Sequence, residues 1–108
     1  MATAAEVVVV DVKAVARGYR ISRLLGSNVL NDKDEGIGTF DDLVIERDDP
    51  SILFAVLEVG GFLGIGGRLV AIPFESLEFD DTGGTLSIVL PGASRDKLKA
   101  LPAFDYRG

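Results

Sequence analysis

Clusters of turn-forming residues divide this chain at Asn31-Asp32-Lys33-Asp34-Glu35-Gly36, Arg47-Asp48-Asp49-Pro50-Ser51, Gly60 to Gly67 and Asp80-Asp81-Thr82-Gly83-Gly84. The stretches they enclose are short and apolar, and none is long enough to be the helix of a parallel crossover. Short strands separated by turns argue for an all-β chain, either a small antiparallel six-stranded barrel or two curled sheets.

The patterning within each stretch supports strands. Val7 to Val10 and Val12 are β-branched, with Val8, Val10, Val12 and Ala14 on one face and Asp11 and Lys13 on the other, which predicts a half-buried strand. Ile21 to Gly26 predicts one helical turn, begun by Ser22 as a cap and ended by glycine. Ser27 to Asn31 reads as a brief strand forming a hairpin with Ile37 to Arg47. In that second strand the inward set slips from Ile37 to Phe40 and then to Val44, so a bulge is expected near Asp41. Ile52 to Val59 is apolar at nearly every position and is expected mid-sheet. Arg68 to Ile72 is a strand that Pro73 ends, and one helical turn follows over Phe74 to Leu77. Leu86, Ile88 and Leu90 alternate with Thr85, Ser87 and Val89 as a last strand. A short C-terminal helix then starts at Ser94, with Asp96 in its first turn and Leu98 and Leu101 as an apolar pair, and stops at Pro102.

With 108 residues the chain has the length of one domain, 1–108. It is 47% hydrophobic and 26% charged, the composition of a folded globular protein. No cysteine and no histidine are present. That excludes disulfides, Cys/His zinc sites, imidazole base catalysis and thiol nucleophiles, so the expectation is a protein that is not an enzyme and takes no cofactor. The net charge of -6 repels phosphate, which argues against nucleic acid as a partner. No stretch approaches the roughly 20 apolar residues of a membrane span, so membrane insertion is not expected. The sequence as given carries no export signal and points to the cytoplasm; a removed signal peptide would instead place it in the periplasm.

The glycine-rich stretch Gly60 to Gly67 lacks the spacing of a dinucleotide or phosphate loop, because Arg68-Leu69-Val70 begins a strand where those motifs open a helix. Its only side chains are Phe62, Leu63 and Ile65. They are candidate protein-contact residues if they point outward, and a plug for one barrel end if they point inward. Asn31 to Asp42 has the length of a calcium loop with Gly36 sixth, but Lys33 occupies a ligand position and flanking helices are missing. Of three acidic doublets, Asp48-Asp49 and Asp80-Asp81 lie in turns, where carboxylates cap nearby amides. Asp41-Asp42 sits mid-strand, which makes it the candidate polar site, with Asp41 expected to be held by backbone amides of a neighbouring turn.

Ile21-Ser22-Arg23-Leu24-Leu25-Gly26 through Val29-Leu30-Asn31, Gly36-Ile37-Gly38-Thr39-Phe40-Asp41-Asp42-Leu43-Val44-Ile45, the glycine stretch Gly60 to Gly67, and Val70-Ala71-Ile72-Pro73-Phe74 together resemble a PRC-barrel domain. The tail Ser94 to Tyr106 is similar to the helix after the barrel in small stand-alone bacterial members, so the resemblance spans about residues 20 to 106. It implies a PRC-type β-barrel with short helical turns and a short C-terminal helix. Family members that are parts of larger proteins dock onto other macromolecules, which implies a non-enzymatic interaction or scaffold module that binds a protein partner or forms a homodimer. The alternative is a small-molecule or metal-binding protein using Asp41, Asp42 and nearby acids at the barrel mouth.

Overall fold

A computed structural model describes residues 7–60 and 67–108. The chain runs α1 (Val12–Arg17), α2 (Ile21–Leu24), β1 (Asn28–Leu30), β2 (Gly36–Ile45), β3 (Leu53–Val59) and β4 (Arg68–Pro73). A 3-10 turn (Phe74–Ser76), β5 (Glu78–Asp80), β6 (Ser87–Val89) and α3 (Arg95–Lys99) follow. The strands form one six-stranded sheet in the order β4-β3-β2-β1-β6-β5.

Two parts of the antiparallel-barrel expectation are corrected. The sheet is mixed, because β1 pairs with β6 in parallel through Val29↔Ile88 and Leu30↔Val89. It is also open among the described residues, with β4 and β5 at its two ends. The antiparallel expectation holds where strands adjacent in sequence pair through a turn, as β1-β2, β2-β3, β3-β4 and β5-β6 do. It fails at β1, whose second neighbour arrives after more than 50 intervening residues and enters along its direction. The number of strands agrees with expectation while the set differs. β5 was not anticipated, and the strand expected at Val7 to Ala14 does not form. There, residues 7–11 lie outside any strand and α1 begins at Val12. Asp11 caps that helix by accepting from the Lys13 N–H at 3.0 Å, and Ala14 and Ala16 favour it. A run of valines has strand propensity, but a strand exists only where a neighbour supplies its hydrogen bonds.

Bulges shape β2. Thr39 and Phe40 pair with Glu58 and Leu57, and pairing resumes at Asp42↔Val56, so Asp41 is the extra residue, where the slip placed it. The inward set after the bulge is led by Leu43 rather than Val44: Leu43 faces Ala55 and packs on the core. A second irregularity lies between Val29 and Leu30, opposite Gly38 and Gly36, and leaves Ile37 unpaired. Gly38 belongs there because a Cβ would meet the Glu58 carbonyl oxygen at 2.8 Å.

The core joins Leu24, Val29, Ile37, Phe40, Ala55, Leu57, Val59, Val70, Ile88 and Leu98, all essentially buried. Full burial of each large side chain is worth about 2 kcal/mol against exposure. β3 is interior, with β2 on one side and β4 on the other. Val56 is fully buried as well but is not part of the main cluster; by strand alternation it points to the opposite face. α2 is capped at Arg20 without a side-chain bond, so Ser22 sits within the turn and not at its cap, while Gly26 ends it at φ +81°. α3 follows expectation, with Ser94 accepting from the Lys97 N–H at 3.1 Å and Leu98 buried.

Candidate functional site

The bulge that displaces Asp41 leaves Asp41 and Asp42 both exposed on β2. Asp42 accepts from its neighbour's backbone, the Leu43 N–H, at 2.8 Å. Asp41 is not held by turn amides, contrary to expectation: its Oδ2 accepts from the Tyr106 hydroxyl at 2.6 Å. Tyr106 comes from the C-terminal tail, which is also tied to β4 by the Phe104 N–H donating to the Leu69 carbonyl at 2.7 Å and by the Arg68 guanidinium donating to the Leu101 carbonyl at 2.7 Å. Phe104 and Tyr106 meet edge to face with centroids 4.9 Å apart. The tail therefore straps β4 to β2 across β3. Partial burial, and then the bond to Asp41 and the charges of Asp41 and Asp42, push the Tyr106 phenol well above its ordinary value of 10.0. It stays a neutral donor throughout the physiological range. Among the described residues no three His, Cys, Asp or Glu side chains gather as a metal-binding group.

A second polar cluster was not anticipated. Asn31, only 3% exposed, uses its whole carboxamide: Oδ1 accepts from the Lys33 N–H at 2.9 Å and the Glu35 N–H at 3.0 Å. Nδ2 donates to Glu35 Oε1 at 2.8 Å and to the Ala93 carbonyl at 3.1 Å. Four of four hydrogen-bonding positions are filled. Asp32 accepts from the Gly92 N–H at 2.9 Å, and that bond holds its carboxyl below the usual range. Arg95 Nε donates to the Gly36 carbonyl at 2.8 Å. The stretch that resembled the start of a calcium loop is thus a knot joining the β1-β2 turn to the segment before α3. The only sequence signal for it was an asparagine leading a turn-former cluster, and nothing local distinguishes a buried Asn31 from a solvated one.

The other turn acids behave as expected. Asp49 accepts from the Ser51 N–H and hydroxyl at 3.0 and 2.7 Å, and Asp80 from the Thr82 N–H and hydroxyl at 3.0 and 2.7 Å. These bonds lower both carboxyl groups. Gly60 opens the glycine-rich stretch at φ +80°, the positive-φ geometry expected of it. Phe62, Leu63 and Ile65 lie outside the described residues.

Two apolar features remain. An open groove of about 390 Å³ lies between the start of β3 and the end of β4, lined by Ser51, Ile52, Leu53, Phe54, Pro73, Phe74 and Glu75. The N-terminal segment is the other: Val7, Val8, Val9, Val10, Val12 and Val15 are all exposed, Val7 at 97% and Val9 at 93%.

A family model for the PRC-barrel domain matches residues 16–96, three quarters of the chain. The chain belongs to the PRC-barrel domain family. No curated protein matches it. The family span takes in all six strands and the Asn31 knot, whereas the valine-rich segment precedes residue 16 and the Tyr106 strap follows residue 96. Among the described residues, no helix of this PRC-barrel chain is long and apolar enough to cross a membrane.

Proposed function

We propose that this PRC-barrel domain is a non-enzymatic interaction module that binds another protein or a second copy of itself. The observation that carries this reading is the exposed valine series from Val7 to Val15 beside a sheet with two open ends. Contiguous exposed apolar surface marks interaction sites in soluble proteins, and outer strands offer backbone groups to an incoming chain. Among the described residues β5 has a strand neighbour on one side only, and at the outer edge of β4 the tail supplies a single bridge, at Leu69. A metal or small-molecule role for Asp41 and Asp42 is the weaker reading, since a cation would have to compete with the Tyr106 hydroxyl for Asp41.

The test is sedimentation of the chain from micromolar to millimolar concentration, together with calcium and magnesium titration followed by amide NMR. Association that perturbs the amides of residues 7–15 supports the interaction module. A strict monomer whose Asp41 and Asp42 amides shift saturably with either cation overturns it in favour of the metal-binding alternative.

A further inference from the structure

Resting on that reading, we propose that the occupant is a second copy of this chain, with the arm Val7–Arg17 of each copy seated on the groove between Ile52 and Phe74 of the other.

Both halves of such a contact are present on one chain. The arm is valine-rich, strand-prone over Val7 to Val10, and exposed at every position from Val7 to Arg17. The groove is mostly apolar; Ile52 in its lining is 43% exposed, and Ile45, paired with the lining residue Leu53, is 57% exposed. A valine series laid there removes apolar surface from water on both partners at about 25 cal/mol per Å².

Charge fixes the choice of partner. Although the whole chain carries -6, four of its eleven basic residues, Lys13, Arg17, Arg20 and Arg23, fall between residues 11 and 23 against one acid, Asp11. The turn that supplies Ser51 and Ile52 to the groove carries Glu46, Asp48 and Asp49 against Arg47, and Glu75 lines the opposite side. A cationic apolar arm thus meets an acidic apolar groove, a complementarity that steers and orients docking.

The geometry suits reciprocal exchange. Tyr19, just after the arm, stacks on Phe79 at 5.1 Å, and Phe79 meets Phe74 at 5.6 Å. Each arm therefore leaves the domain close to its own groove, and a two-fold axis beside Phe74 lets two arms cross into each other's grooves. This closes the contact as a dimer without leaving a free end for further growth.

The test uses the full chain, whose lack of cysteine allows a single nitroxide at Ala14→Cys. That copy is mixed with an isotope-enriched copy bearing no label. The expected result is broadening of the Ile45, Ile52 and Phe74 amides in the enriched copy. Val8→Asp with Val10→Asp is expected to remove it and to weaken dimerisation roughly tenfold or more. Reversing Lys13 and Arg17 to Glu is expected to weaken the dimer, and mixing that variant with an Asp48→Lys, Glu75→Lys copy to restore association. All seven substituted positions are exposed, and unchanged thermal unfolding of each variant confirms that it folds. Broadening confined to the copy that carries the label means an arm folded onto its own groove, and overturns the proposal. A dimer that persists in Val8→Asp, Val10→Asp also overturns it while leaving the interaction reading intact, and a monomer at millimolar concentration overturns self-association altogether.

Discussion

Val7 to Val10 and β3 are the two most hydrophobic stretches of this chain, yet one is almost wholly exposed and the other contains four fully or nearly buried residues, Ala55, Val56, Leu57 and Val59. Their side-chain chemistry is alike, and what separates them is the neighbours. β3 follows a seven-residue connection, 46–52, whose Asp49 bonds to Ser51, and it gains β2 on one side and β4 on the other. The valine arm is followed by Asp11, which starts a helix, and no turn folds it back onto the sheet. β-propensity measures fit to a half-buried pleated surface that must first exist. Composition therefore marks both stretches as able to pair, and only the turns decide which of them does.

The comparison breaks most easily at its buried end. Leu57 is fully buried, paired with Phe40 and Val70, so Leu57→Ala is expected to cost about 2–5 kcal/mol through lost transfer energy and a residual cavity. Urea denaturation measures it. A loss below about 1 kcal/mol would mean that β3 is no more committed to the core than the arm is.

Turn-directed recruitment is sharpened at Asn31. β1 is only three residues long with a single fully buried side chain, Val29, so its own burial is a weak reason to form. Asn31→Ala leaves the Lys33 and Glu35 N–H groups and the Ala93 carbonyl without their partner, an expected loss of about 1–3 kcal/mol. Asn31→Asp is expected to recover only part of this, because it keeps the acceptor and loses the donor to Ala93 while facing Glu35. The bond from Gly92 adds a pH dependence. Asp32 has a folded-state carboxyl below its unfolded value of 3.8, so its contribution is complete above about pH 4 and is lost as pH falls through the lower folded value. Acid unfolding of Asp32→Asn is expected to show a shallower loss in that window.

These residues also mark how far sequence reasoning reaches. Local signals carried the Asp41 bulge, the Pro73 stop, the Ser94 cap and the carboxylates of the Asp49 and Asp80 turns, since each effect acts within a few residues. Long-range pairing escaped it. The parallel β1-β6 ladder, the open sheet, the reach of Asn31 to Ala93 and the bond from Tyr106 to Asp41 all join positions 59 to 65 residues apart or depend on such a junction. β5 was hidden because three residues, Glu78-Phe79-Asp80, show almost no alternation, and the arm was misread because its alternation is strong. At the candidate site the turn amides expected to hold Asp41 are replaced by a tyrosine from the tail, which only the fold could bring to it.

The tail stands between the two extremes, recruited by one bridge and one side-chain bond. Tyr106→Phe and Asp41→Asn are each expected to cost about 1 kcal/mol or less, because the bond is charge-assisted but its partners are solvent-accessible. The sign at alkaline pH follows from the raised phenol. Tyr106 favours its neutral form when folded, so the contribution is complete below pH 10.0 and is lost as pH rises toward the higher folded value. Phenolate absorbance is expected to show Tyr106 resisting ionisation at pH 10 and to lose part of that resistance in Asp41→Asn, where partial burial and the Asp42 charge remain.

The smallest effect is expected in the arm, and its smallness is the sharpest check on the comparison. Val8 is 77% exposed, so Val8→Ser, measured at a dilution where sedimentation finds a monomer, is expected to change stability by no more than about 0.5 kcal/mol. The same substitution in β3, Val56→Ser, removes one fully buried methyl group and replaces the other by a hydroxyl that needs a partner, and is expected to cost several times as much. If Val8→Ser were as costly as Val56→Ser in the monomer, the arm would already be packed, and the distinction between a stretch recruited by its turns and one left over would fail. If the Val8→Ser cost emerges only as concentration rises, the missing neighbour of the arm is supplied by another molecule, and the difference between the two valine-rich stretches is that one pairs within the chain and the other between chains.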